Sequence, residues 1–357
     1  MLKVLAVVMC LVMVFALAAC GGNSSSGGNS GGSTETKEES TETTAAEGEV
    51  VKLDIVHIAS ESDPIHDGWN FLKDQLEKKS NGRFQVTIYG NKSIANSDIE
   101  AIEKVQQNIC QMTSGPSSSY AAIGNIQEYQ VFDYPYLCSS YDDFYTILDS
   151  DLAKGWAQQL EENVGIRTLG GYALGWQQIA STKPVNTLES FKGQKIRTMS
   201  SDVQIAFVNS FGASATIVNY GEVFTALQQG TVDGLMTSTG LMVSDKFYEV
   251  TDYLSVCHPT AILHIPCVNA EWYNNLPEDL KAIYDETIPE YMEAIRSYEE
   301  AFDAKALQTL ADNGLEVTEY TDEELQPFIE ASQKVYTEQA NVAGADTIAA
   351  VQALLGK

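Results

Sequence analysis

From Pro277 to about Ala311 the sequence contains no glycine, and its one internal proline is Pro289. Leu280, Ile283, Ile288, Tyr291, Ile295, Tyr298, Phe302, Ala306 and Leu310 keep a helical period throughout. A helix of thirty-odd residues is about 45 Å long at 1.5 Å per residue, longer than a small domain is wide. Such a rod belongs either in a coiled coil or as a strut across two lobes. Pro289 is expected to bend it. The chain has 357 residues, enough for about two domains of roughly 150 residues each.

Upstream, the apolar period switches repeatedly between two and 3.6. Val51, Leu53 and Ile55 alternate, so 51–58 reads as a strand entering a core. Asp63-Pro64 breaks it, and Trp69, Leu72 and Leu76 predict a helix that runs to Lys79. After the Asn81-Gly82 turn, 84–89 alternates as a strand, and Ile99, Ile102, Val105 and Ile109 predict a helix. The pattern resumes with strand 194–198, helix 201–211, strand 214–218, helix 220–229 and strand 232–236. This alternation predicts an α/β fold with parallel strands. The tail 321–355 carries two more helical patterns, and no repeat of 20–50 residues is visible.

Asp and Glu number 49 against 21 Lys and Arg, a formal net charge of −28. Such a field excludes nucleic acid as a partner and disfavours a polybasic dock on anionic lipid. An anionic ligand would have to be captured by a few placed Arg side chains. The sequence lacks a phosphate loop, a dinucleotide glycine fingerprint and a Gly-x-Ser-x-Gly elbow. Cys257, His258, His264 and Cys267 name four zinc-ligand types, but strand geometry points each close pair to opposite faces. They read as strand packing; no metal, cofactor or catalytic residue is expected.

The N-terminus sets the compartment. Lys3 precedes an apolar run from Val4 to Ala19, sixteen residues, shorter than the ~20 a spanning helix needs. Residues 1–19 read as a secretory signal. Leu17-Ala18-Ala19-Cys20 resembles a bacterial lipobox, in which Cys20 becomes the lipidated N-terminus; the alternative is an ordinary signal with Cys20 incidental. Residues 20–49 are Gly, Ser, Asn, Thr and Glu with little apolar content, a disordered tether reaching about 30 Å. The expected location is the extracytoplasmic face of the membrane, held by lipid. Cys110, Cys138, Cys257 and Cys267 remain for the folded part. They allow three pairings, of which Cys257 with Cys267 across two strands is one, and the sequence selects none.

Several ordered blocks then carry a resemblance. They are Phe191-Lys-Gly-Gln-Lys-Ile-Arg197, Phe211-Gly-Ala213, the run from Tyr220 to Gly234 that ends Val-Asp-Gly, and Lys246-Phe-Tyr-Glu-Val250. Upstream lie Ile94 to Val105, Thr113-Ser-Gly-Pro-Ser117 and Thr182-Lys-Pro184; Trp272-Tyr-Asn-Asn-Leu-Pro277 follows. Together, over about residues 51–340, the chain resembles the solute-binding subunit of tripartite ATP-independent periplasmic (TRAP) transporters, the DctP type. The resemblance implies a two-lobe, type II-like periplasmic-binding-protein fold with the long helix spanning both lobes. Lobe I would be 50–174 plus 263–302, and lobe II 175–262 plus 303–357.

By the same resemblance, Arg197 forms a bidentate pair with a ligand carboxylate, a task suited to a planar, permanently charged guanidinium. Many relatives carry a second Arg where this chain has Gln177, and Gln-Glu-Asn where it has Leu235-Met236-Thr237. One charge is thereby lost from the ligand side, which shifts the expectation from a dicarboxylate to a monocarboxylate with a less polar body. Gln177 and Thr237 are the residues that replace the lost groups. Trp176, Tyr220 and Met236 are candidates to cover that body, or else core residues. Ser200 and Ser117 are ligand contacts or helix caps. The implied protein is a monomer and no enzyme; it passes its ligand to a small and a large membrane subunit of a cation-coupled symporter. The alternative is a binding protein for an ATP-driven importer or a sensor kinase.

Overall fold

A computed structural model describes residues 48–357. The signal segment, Cys20 and almost all of the tether lie outside the described residues. The strand at 51–58 is β1 (Val51–Val56), and α1 (Pro64–Lys79), β2 (Phe84–Tyr89) and α2 (Asp98–Gln106) follow. Next come β3 (Met112–Pro116), α3 (Ser117–Gly124), α4 (Tyr141–Asp149), α5 (Asp151–Val164), β4 (Ile166–Thr168) and β5 (Tyr172–Ser181). The second run is β6 (Lys195–Thr198), α6 (Asp202–Ser210), β7 (Ser214–Ile217), α7 (Val223–Gln228), β8 (Gly234–Ser238) and α8 (Thr239–Ser244). The chain closes with β9 (Tyr253–Val256), β10 (Ala261–Asn269), α9 (Ala270–Asn274), α10 (Glu278–Asp312), β11 (Glu316–Glu319), α11 (Asp322–Glu338) and α12 (Ala345–Leu354).

The sheet runs β2-β1-β3-β10-β5-β8-β6-β7, with β4 on β10 and β9 and β11 on the flank of β5. Its first half pairs β1 in parallel with β2 and β3; its second half pairs β6 in parallel with β7 and β8. β5 joins the halves, pairing with β10 through Tyr172, Ala173 and Trp176 and with β8 through Gln177–Ser181. Within the first stretch, between Ala173 and Trp176, sits Gly175 at φ +91°, where a Cβ would meet the Asp303 carboxyl. Only glycine takes that backbone conformation without strain. The expected lobe boundaries at 174/175 and 262/263 fall inside β5 and β10, the two strands that run from one half to the other.

α10 serves both halves, so the strut is the role this helix fills. Its first turns pack on α1: Trp69 stacks on Tyr291 at 5.0 Å, and Leu72, Leu76, Leu280 and Tyr284 are buried with them. Its far end sends Leu310 into a separate cluster with Leu254, Val256 and Leu315. Pro289 lies inside the helix. α1 begins where expected because Asp63 accepts from the Ile65 amide and Pro64 takes the first helical position.

The differences from the sequence reading have local causes. α2 stops at Gln106 because Asn108 adopts φ 55°, which leaves Ile109, expected on the apolar face, exposed. The helix expected over 220–229 opens with a 3₁₀ turn, Tyr220–Glu222, before α7. No disulfide forms among the described residues. Cys110, Cys138, Cys257 and Cys267 are free and buried; Cys267 lies between Thr113 and Thr168 in the sheet, whereas Cys257 follows β9.

Candidate functional site

β6 lies between β7 and β8, and Ile196 and Thr198 anchor it in the core. Arg197 between them is only 3% exposed. Its Nε donates to the Val218 carbonyl at 3.0 Å, and the guanidinium sits 5.6 Å from the centre of the Tyr220 ring. A guanidinium has five N–H groups, and among the described residues the four terminal ones have no partner. Burial pulls Arg197 down to about 10, opposed by Tyr220 and Asp98. It therefore remains a cation at neutral pH.

These groups face a cavity of about 80 Å³ lined by residues from both halves of the sheet. At roughly 10–15 Å³ per water-sized group, it holds about five to eight non-hydrogen atoms. Ile58, Ile65, Ile99, Leu174, Met199 and Leu241 make much of its wall apolar. Asp98, His57, His264, Ser114 and Thr237 add polar atoms. His57 contacts His66 (Nε2 to Nδ1, 3.1 Å), and burial pushes both His57 and His264 down to about 3. Both rings are thus neutral at physiological pH. Arg197 is the only cation among the described lining residues.

Ser114 Oγ approaches His264 Nδ1 at 3.5 Å, an arrangement that resembles a nucleophile with its base. An imidazole held near pKa 3 is too weak a base for that task at neutral pH. The Ser114 hydroxyl also engages Tyr172 at 2.8 Å, and no carboxylate orients the ring among the described residues. The pair is better suited to offering hydrogen bonds than to chemistry.

Of the sequence-selected residues, the structure brings Arg197, Ser200, Tyr220 and Thr237 together at the cavity. Ser200 is free for this role because the cap of α6 is Ser201, which accepts from the Gln204 amide. Four others lie outside the lining. Met236 is buried in the core, paired across the sheet with Ile179. Trp176 stacks on Tyr141 at 5.6 Å and meets Phe144 and His258 edge-on. Gln177 is fully buried with neither side-chain amide atom partnered. The backbone turn at Gly175 separates both of these from Leu174, which does line the cavity. Ser117 is the first residue of α3, and its neighbours Pro116, Ser118 and Ser119 reach the cavity instead.

Sequence reasoning missed Asp98, His57 and His264. His57 follows β1, at the carboxyl end of a parallel strand, where ligands of open α/β sheets collect. That signal was present. Asp98 had no comparable mark among 49 acids.

Contacts also cross the rim of the cavity. From the β1–α1 loop, Ser60 and Ser62 donate to the Ser244 carbonyl at 3.3 and 3.4 Å. Ser244 Oγ donates to Asp63 at 2.8 Å. Lys92 pairs with Asp245 at 3.3 Å, and the Tyr220 hydroxyl donates to the same carboxylate at 2.6 Å.

A small cavity between two halves of one sheet, with a single buried cation among the described lining residues, defines a binding protein for a small anion. The chain belongs to the DctP family, bacterial extracellular solute-binding protein, family 7, whose pattern matches residues 55–342. It is 28% identical over 309 residues to the C4-dicarboxylate-binding periplasmic protein DctP of Rhodobacter capsulatus, covering 86% of this chain and 92% of that protein. Its fold is similar to that of the sugar acid binding protein DctPAm from Advenella mimigardefordensis in complex with galactonate. There the TM-score is 0.81 at 22% identity, over 86% of this chain and 98% of that one. A TRAP periplasmic solute-binding protein from Shewanella oneidensis with bound succinate gives a TM-score of 0.80 at 22% identity, over 85% and 99%. The family acts outside the cytoplasm, and its fold is the two-lobe fold of these structures.

Proposed function

We propose that this protein captures a small organic acid with one carboxylate, held end-on by the terminal N–H groups of Arg197, and delivers it to the membrane subunits of a TRAP transporter. The observation that carries this reading is the solitary buried cation with unpartnered terminal N–H groups in a largely apolar cavity of about 80 Å³. With Nε committed to Val218, the two terminal nitrogens offer a fork that matches two carboxylate oxygens. No second cation lines the cavity among the described residues, which favours a monocarboxylate with a less polar body over a dicarboxylate. Relatives named for C4-dicarboxylates and structures holding succinate or galactonate support the acid class. Tyr220, Thr237 and Ser200 contact the ligand; Gln177 and Ser117 support the pocket from behind it.

The protein binds and releases its ligand unchanged. It works as a monomer on the extracytoplasmic face, tethered through lipid on Cys20. The lobes are 50–174 with 263–302 and 175–262 with 303–357. A thermal-shift screen of small carboxylic acids against their amides tests this function. Ligand at about 100 times its dissociation constant adds about 2.7 kcal/mol of stability. Acids that raise the melting point while their amides do not are the expected result; equal shifts with acid and amide would overturn the reading.

A further inference from the structure

The cavity holds a second charged group that the carboxylate reading leaves unused. Asp98, the first residue of α2, lines the same space as Arg197. Ser97 is the cap of that helix, accepting from the Glu100 amide, so Asp98 is not consumed in capping. Among the described residues, no side chain donates a hydrogen bond to Asp98, and it makes no ion pair with Arg197. Its own backbone N–H is the one donor it has. Gly115 packs close to its Cβ, where a side chain would meet both Asp98 and Ile102.

Other titratable groups face it from every side. Arg197 comes from β6 and Tyr220 from the turn before α7. His57, with His66 behind it, comes from the end of β1; His264 comes from β10 and Tyr120 from α3. Both lining histidines are held near 3, and burial pushes both tyrosines up, so all four stay neutral. Asp98 is therefore the group facing this space whose charge changes near neutral pH.

Charge balance then decides its state. With Asp98 ionised, its charge and that of Arg197 cancel, and an incoming monocarboxylate leaves one negative charge uncompensated between buried groups in a largely apolar wall. With Asp98 protonated, Arg197 is left to the ligand alone, and the carboxyl offers an O–H where it otherwise offers only acceptors. Resting on the carboxylate reading above, we propose that Asp98 binds the ligand in its protonated form, so that capture of the acid takes up one proton from solvent and the Asp98 O–H donates to a ligand oxygen.

Burial already raises the free carboxyl to about 7, with Arg197 pulling the other way, and the ligand's charge raises it further. Affinity is then full below pH 7 and falls by about tenfold per pH unit above it, roughly thirtyfold between pH 6 and pH 8.5.

The test uses the full chain in detergent with C3–C6 monocarboxylates, their amides and the corresponding α-amino acids, at pH 6 and pH 8.5, beside Asp98→Asn. The simple acids stay ionised over this range, so the ligand charge is constant. The expected result is an acid bound about thirtyfold more weakly at pH 8.5 by the wild type and equally at both pH values by Asp98→Asn. Calorimetry in two buffers of different ionisation enthalpy should find proton uptake in the wild type and none in the variant. Affinity independent of pH in the wild type overturns the proposal. So does preference for an amino acid that is lost in Asp98→Asn, which would make Asp98 an ionised partner for an ammonium group. If no acid binds either protein at pH 6, the carboxylate reading fails and takes this inference with it. A pH-independent acid leaves that reading standing and removes this one alone.

Discussion

Replacing Arg197 with Ala gives a quantitative test of the anchor. The structure assigns its Nε to the Val218 carbonyl, so two terminal N–H groups remain for the ligand carboxylate. Each charge-assisted hydrogen bond contributes roughly 1.5–3 kcal/mol, which puts the pair at about 3–6 kcal/mol. At 1.4 kcal/mol per decade, affinity should fall between about a hundredfold and ten-thousandfold. Arg197→Lys keeps the charge but not the fork, and should fall between the two. The free protein loses one bond to a carbonyl and sheds a buried charge, so its stability should change by only about 1 kcal/mol. Isothermal titration with the best acid from the screen, beside circular dichroism and melting of both variants, measures both quantities. An Arg197→Ala protein that is folded and binds within threefold of the wild type would refute the anchor and the cavity assignment together.

Other perturbations probe the frame that holds this site. Gly175→Ala places a Cβ against the Asp303 carboxyl at φ +91°, and should lower the melting point by several degrees, since a left-handed L-residue alone costs about 1–2 kcal/mol. Trp69→Ala removes the ring stacked on Tyr291 between α1 and α10; a loss of about 3–5 kcal/mol should lower the urea midpoint with the slope unchanged. Asp133 is buried, accepts from Ser201 and Gln204, and is raised by burial to about 6, above its unfolded value of about 3.9. Its contribution is therefore complete below pH 4 and lost as pH rises through 6, so Asp133→Asn should gain on the wild type between those values and run level above. Cys20→Ser should release the protein from membranes; continued retention in the membrane fraction would remove the lipid anchor.

The elements legible in the sequence were those with one dry and one wet face. β1, α1 and β2 have alternating or helical periods because solvent lies on one side of each. β5 and β10 left no such trace. Nine of their residues or more are buried apiece, with no alternation to read, and β10 also carries Pro266 in its interior. In the site, Arg197, Tyr220, Ser200 and Thr237 lay within blocks that the resemblance located. Trp176 and Gln177 were misplaced because a glycine at positive φ interrupts the facing of β5, a change of conformation that the letters Gly-Trp-Gln-Gln do not disclose. Met236 faced a choice between wall and core, and Ile179 opposite it settles the matter. Asp98 was hidden by number, one acid among many, and only its position opposite a buried cation distinguishes it.

The contacts that cross the rim are three serine hydroxyl bonds, one of them to the Asp63 carboxylate, and the Lys92–Asp245 ion pair. The two bonds to the Ser244 carbonyl contribute about 0.5–1.5 kcal/mol net each, whereas the bond to the buried Asp63 carboxylate contributes about 1.5–3 kcal/mol. A ligand that touches both halves adds to this fastening, so occupancy of the middle tips the balance towards closure. A membrane receptor touching Ser60 on one side and Asp245 on the other would then measure a gap, and the gap would report loading without the receptor ever meeting the cargo. The same receptor could accept deliveries of different acids from chains whose inner walls had diverged, so long as the rims kept their spacing.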